Sequence, residues 1–195
     1  MHLAGLHGGL AMEPELHARI RPGLGYISGI GHLPNDQYMI VCRDGVCLAT
    51  RDGQILQAWP LASDLLIAEG VVATSHYLIL PTRRGLVFWS WETGQIVYHT
   101  PPANARRIYR SPTDLLAVLY QESGVVFYQL HDVTTPTGCL SRIRGCPVHY
   151  FGSMGAWSLD GEVFVYSSPT DIVLFAQPYQ PRTRTWLQRP SKHQE

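Results

Sequence analysis

Lysine is nearly absent from this sequence: Lys192 is the single lysine among 15 basic residues, and the rest are arginine. Charge of either sign is scarce, at 15% of residues, and 15 Lys and Arg balance 15 Asp and Glu. A balanced chain has no global field with which to attract nucleic acid or an anionic membrane, so neither is expected as a partner. No apolar run approaches the roughly 18 residues that a membrane-spanning helix needs. The opening stretch, MHLAGLHGGLAMEPELHARIRPG, has no basic first segment, and His7, Gly8 and Gly9 break its apolar run, unlike a secretory leader. These absences predict a soluble intracellular protein, cytoplasmic or nuclear, in which the four cysteines stay reduced. Helical periodicity is missing outside residues 11–20, which excludes a helical solenoid.

Signatures of common chemistry are missing too. No Gly-x-Ser-x-Gly elbow occurs; Gly152-Ser153-Met154-Gly155 is one residue short and reads as a turn. No glycine loop has the form that cradles phosphate, and the nine histidines are scattered without an HExxH pair. No cofactor and no metal are therefore expected. Carboxylates at turns, such as Asp44, Glu122 and Asp160, are the candidates for a glycosidase-like pair.

What the sequence has in quantity is 18 Gly, 14 Pro and 10 Tyr, a composition of strands and tight turns. The turns are periodic. QYMIVC (37–42), VCLAT (46–50) and QILQAW (54–59) are β-prone runs separated by Arg43-Asp44-Gly45 and Arg51-Asp52-Gly53. The same grammar returns in HYLILP, LVFWSW and QIVYHT (76–100), then in DLLAVLY, VVFYQL and CLSRI (114–143). A weaker copy runs GAWSL, Asp160-Gly161, EVFVYS, DIVLFA (155–176). Gly45, Gly85, Gly124 and Gly161 step by 40, 39 and 37 residues. A further β-prone stretch precedes each copy: GYISGIG, LLIAEGVVA, ARRIYRS and PVHYFGS. Four strands per unit of about forty residues is the period of a propeller blade.

Residues 85–97, GLVFWSWETGQIV, resemble the third and fourth strands of a WD-repeat blade, with Trp89 and Gly94 at the family's spacing. The Thr-Gly-Gln-Ile-Val opening is similar to quinoprotein-like propellers, and Gly53-Gln54-Ile55-Leu56 echoes it. Ser90 stands where the WD pattern has Asp, and the other copies lack the Trp. The expectation is an all-β, β-propeller-like fold of about four blades of four antiparallel strands over residues 25–177, open or incomplete as a ring. Residues 1–24 are expected to be an extension, with ELHARIR (15–21) a candidate closing strand, and 178–195 a flexible basic tail.

Two residue sets stand out as candidate sites. A two-residue Asp-Gly turn would pair Arg43 with Val46 and set Cys42 opposite Cys47, the arrangement of a labile cross-strand disulfide or of two small buried thiols. The resemblance implies that turns between second and third strands share a partner-facing end, which would carry Arg43, Asp44, Arg83, Arg84, Glu122 and Asp160. That mixed-sign ring suits protein recognition. The leading expectation is a non-catalytic interaction scaffold, not an enzyme, with a protein partner and homodimerisation through exposed blade edges. The alternatives are a propeller enzyme with a central-channel site, glycoside-processing or quinoprotein-like, and a degenerate propeller fragment.

Overall fold

The structure, a computed structural model, describes residues 19–33, 36–62, 65, 67–147, 154–167, 172–176 and 180–183. It contains sixteen strands in four antiparallel sheets of four. The first blade is β1 (Ile27–His32), β2 (Gln37–Cys42), β3 (Gly45–Thr50) and β4 (Ile55–Pro60). The second is β5 (Val72–Ala73), β6 (Tyr77–Thr82), β7 (Gly85–Ser90) and β8 (Ile96–His99). The third is β9 (Ala105–Arg110), β10 (Leu115–Tyr120), β11 (Gly124–Leu130) and β12 (Leu140–Cys146). The fourth is β13 (Met154–Trp157), β14 (Val163–Ser167), β15 (Ile172–Ala176) and β16 (Gln180–Thr183). In each sheet the strands lie in chain order. No α-helix occurs among the described residues.

The middle two strands of the second and third blades are apolar on both faces because both faces are covered, whereas those of the fourth alternate between buried and more exposed residues. Met39, Val41 and Val46 of the first blade pack on Leu78, Leu80, Val87 and Trp89 of the second. The other face of the second blade, with Ile79, Leu86 and Phe88, packs on Leu116, Val118 and Val126 of the third. Leu115, Ala117, Val125 and Phe127 then meet Phe164, Tyr166, Val173 and Phe175 of the fourth. A strand that alternates faces but buries both reads as a continuous apolar run, as YLILPT and LLAVLY do. Burial of one such side chain stabilises by about 1.5–3 kcal/mol, so the three blade-to-blade seams are the principal core.

Backbone hydrogen bonds tie successive blades together near their first strands. The Gly70 N–H donates to Ser28 O at 3.1 Å, and the Glu69 N–H to Arg106 O at 3.2 Å. The Trp157 Nε1–H adds a side-chain link to Tyr109 O at 3.2 Å. No strand of the fourth blade pairs with the first among the described residues, and the sheets do not close into a ring. The first blade's remaining face, Ile40, Cys42, Cys47 and Ala49, is packed by Ile20 and Leu24. Arg19, Ile20 and Arg21 form no strand, and the rest of the expected closing segment lies outside the described residues.

The fourth blade is offset by one strand from the repeat. Of PVHYFGS, the expected first strand, only Pro147 lies within the described residues. Met154–Trp157 is the first strand of the sheet, and EVFVYS supplies the second. Gln180–Thr183, within the stretch expected to be tail, pairs with β15 as the outer strand. The expected first strand of the second blade, LLIAEGVVA, is mostly irregular. Only Val72–Ala73 is strand, while Ile67 and Glu69 make single bridges to Thr82 and Arg107.

Candidate functional site

Antiparallel order sends the second-to-third-strand turns to the end of the blades where the first strands begin. Arg43-Asp44 joins β2 to β3, Arg83-Arg84 joins β6 to β7, and Gln121-Glu122-Ser123 joins β10 to β11. The Thr82 hydroxyl donates to Gly85 O at 2.9 Å and accepts from the Arg84 N–H at 3.1 Å, which fixes the second of these turns. Five of the six predicted residues, Arg43, Asp44, Arg83, Arg84 and Glu122, therefore share this end. Asp160 does not. It sits in the β13–β14 turn, a first-to-second-strand turn, and so at the opposite end. Gly161 there lies against Thr113, which occupies the corresponding turn of the third blade.

Arg43 and Arg83 line a cavity of about 500 Å³ together with Tyr26, Glu69, Arg106 and Arg107. Four guanidinium groups thus face one carboxylate. Glu69 and Arg107 form an ion pair, and Arg43 Nε lies 3.7 Å from Asp44 Oδ1, so the excess positive charge of the lining rests on Arg83 and Arg106. Arg106 and the Asn104 amide both donate to Gln121 Oε1, the latter at 2.7 Å, so Gln121 ties the third blade's turn to its first strand. The buried Asn104 Oδ1 has no hydrogen-bond partner in the structure. Of the predicted residues, Arg43 and Arg83 line this cavity, and Arg43 is ion-paired with Asp44. Asp44, Arg84 and Glu122 lie outside its lining, and Glu69, Arg106 and Arg107 come from first strands and their approaches. The sequence signal for the two arginines is the Arg106-Arg107 pair at the start of ARRIYRS.

The centre of the four blades forms a second cavity, of about 610 Å³, lined by Tyr26, Ser28, Glu69, Arg107, Tyr109 and Met154 among others. Its one lining carboxylate is Glu69, already paired with Arg107. The carboxylate pair that a glycosidase needs is not assembled there among the described residues.

The cysteine pairing differs from the expectation. Cys42 is opposite Gly45 and Cys47 is opposite Ile40, because the turn residues are Arg43-Asp44 and not Asp44-Gly45. The reason is Gly45 itself. A methyl group there would lie 2.5 Å from Trp59 O, so the glycine is held inside the sheet by the approach of β4 rather than in the turn by a positive φ. Cys42 and Cys47 are thus diagonal neighbours on one face, both free and both fully buried. Burial pushes the Cys42 thiol up to about 11, with Cys47 and Asp44 adding to the effect, and raises the Cys47 thiol as well. Groups kept as thiols make poor nucleophiles for disulfide exchange, and the directly opposed Cys42–Cys47 pairing behind the labile-disulfide expectation is absent.

No family model matches the chain, and no curated protein sequence matches it. Solved structures do. The β-propeller domain of Cps50 (Swd1) from Myceliophteria thermophila superposes with a TM-score of 0.68 at 14% identity, over 85% of this chain and 60% of that one. The periplasmic gluconolactonase of Pseudomonas aeruginosa gives 0.59 at 13% identity, over 85% and 58%. The computationally designed protein Ika4 gives 0.59 at 9% identity, over 84% and 99%. This chain has a β-propeller fold. It spans about three fifths of the two natural propellers. The expectation that it is not an enzyme is corrected by the same finding: a gluconolactonase carries this architecture, so the fold supplies no ground for excluding catalysis. No helix among the described residues is long and apolar enough to cross a membrane.

Proposed function

We propose that the chain is a propeller interaction module that holds an acidic segment of a protein partner on its basic face. The observation that carries this reading is the cavity lined by Arg43, Arg83, Arg106 and Arg107 against the single carboxylate Glu69. Arginine forks bind carboxylates in bidentate geometry, and four arginines against two paired carboxylates, Glu69 and Asp44, leave a positive excess on a rim contributed by three blades. Arg43 and Arg83 are exposed on short turns, so they meet an incoming chain without a backbone rearrangement. The Trp89–Gly94 spacing supports placing the module nearer to WD-repeat propellers than to other kinds.

The test is fluorescence anisotropy of a labelled peptide rich in Asp and Glu. Binding should weaken as salt rises and fall by about a hundredfold in the double variant Arg43→Glu/Arg83→Glu, as expected for two lost charge-assisted contacts. Arg51→Glu, at the other end of the first blade, should bind as the parent does. Equal binding by the parent and the double variant would sink the proposal.

A further inference from the structure

The opposite face carries a site of different chemistry. Where β1 ends and β2 begins, the first and second blades enclose a cavity of about 600 Å³ lined by Trp59, Trp91, Gln37, Gln57, Met39 and Leu48 among others. Its aromatic walls are built before any ligand arrives. Trp89, fully buried between them, meets Trp59 edge to face at 4.9 Å and 71°, and Trp91 at 5.6 Å and 82°. The Trp91 Nε1–H donates to Thr74 O at 3.0 Å, which fixes that indole, and Trp59 rests against the Gly94 turn of the second blade. Rigid aromatic side chains lose little entropy on binding.

The titratable groups at this cavity are already engaged: His32 Nε2 lies 3.6 Å from Asp36 Oδ1. Arg110 donates to Asp114 Oδ1 at 3.0 Å and to Ala73 O at 2.7 Å. Asp132 accepts from the Ser75 N–H at 3.0 Å and from the Ser75 hydroxyl, and these bonds hold its carboxyl below the usual range. A charged ligand would have to break those pairs. Gln37 and Gln57, by contrast, have no side-chain hydrogen bond among the described residues, and each offers both a donor and an acceptor. Flat apolar walls, free amides and no spare charge match a neutral ligand that has one apolar ring face and many hydroxyls. The volume lies within the usual span for small-ligand sites.

We infer that this cavity binds a neutral saccharide, with a sugar ring against the indoles of Trp59 and Trp91 and its hydroxyls on Gln37 and Gln57. The site is separate from the basic cavity and independent of the function proposed for it. The test is a tryptophan-fluorescence titration of the full chain with a panel of neutral disaccharides built from glucose, galactose, mannose and N-acetylglucosamine. At least one should give a saturable change. Gln57→Ala, at an exposed position, should weaken that ligand by about fivefold to tenfold, as the loss of a hydrogen bond requires, with an unchanged thermal midpoint. The double variant Arg43→Glu/Arg83→Glu should bind it as the parent does. No saturable change with any saccharide in the panel would overturn the inference. So would binding untouched by Gln57→Ala, or a saturable response only to apolar peptides titrated in parallel.

Discussion

Of the Asp-Gly dipeptides in the chain, Asp44-Gly45 and Asp160-Gly161 lie at opposite ends of their blades. In the first, the turn is Arg43-Asp44, and Gly45 belongs to β3, pressed against the carbonyl of Trp59. In the second, Gly161 is inside the turn with φ of 74°, and its N–H donates to Ser158 O at 3.0 Å. One glycine is required by close approach, the other by backbone conformation. The difference teaches that a dipeptide punctuates a β-chain without saying which turn it makes; the neighbouring strand decides. Gly45→Ala is the sharpest way to break the comparison. The obstacle is backbone, which cannot rotate away, so the variant should lose about 3 kcal/mol by overpacking, read as a lower urea midpoint at unchanged slope. Gly45→Asn should fare no better, because tolerance of positive φ does not relieve a clash.

Gly161→Ala should cost less, about 1–2 kcal/mol, the penalty for an L-residue in the left-handed region. Its nearest obstacles are the Thr113 hydroxyl and methyl, side-chain atoms rather than backbone. Here Gly161→Asn should recover part of the loss. If Asn is tolerated at position 45 and not at 161, the two glycines have been assigned the wrong roles. Ser158→Ala is the next step down. The Ser158 hydroxyl accepts from the Val163 N–H at 3.0 Å and donates to Asp160, and its removal should cost about 1 kcal/mol by the same denaturation measurement.

That hydroxyl belongs to a pattern that the sequence does not advertise. Thr74 and Ser111 stand at the same place in the second and third blades and accept from the backbone N–H groups of Tyr77 and Leu115. Single hydroxyls scattered among turn residues carry no periodic apolar signal, so they are invisible beside the glycines. The strands themselves are legible: QYMIVC coincides with β2 and DLLAVLY covers β10, because runs buried on both faces stand out from any background. The repeat misaligns the fourth blade because the Gly-x-Val-Phe pattern at Gly161 lies on β14, a second strand, whereas at Gly124 it opens β11, a third strand. Both nevertheless place a phenylalanine in the seam between third and fourth blades, where Phe127 and Phe164 meet edge to face at 5.8 Å. Core demand produces the same Gly-x-Val-Phe pattern twice for different strands. Of the basic cavity, Arg43 and Arg83 are legible from their turns. Glu69 is not, because LLIAEGVVA reads as a strand and the structure uses it as a bridge between blades.

The smallest expected effect sharpens the comparison by adding pH to the fourth blade's turn. Asp160 accepts hydrogen bonds from the Ser158 hydroxyl and from the Glu162 N–H, and the Ser158 bond is the larger reason that its carboxyl titrates below the ordinary 3.8. A carboxyl with a depressed folded-state value binds its proton more readily when unfolded. Its contribution to stability is therefore complete above the unfolded value and is lost as the pH falls through the lower folded one. Asp160→Asn keeps an acceptor at that position but cannot titrate. The parent should be the more stable protein near neutral pH, and the difference between their urea midpoints should shrink as the pH is lowered toward about 3. In a Ser158→Ala background the same pair of proteins should show a weaker dependence on pH, because the larger cause of the depression is gone. A gap between parent and Asp160→Asn that stays constant down the series would mean that the Ser158–Asp160 contact is not what holds the fourth blade's first turn in place.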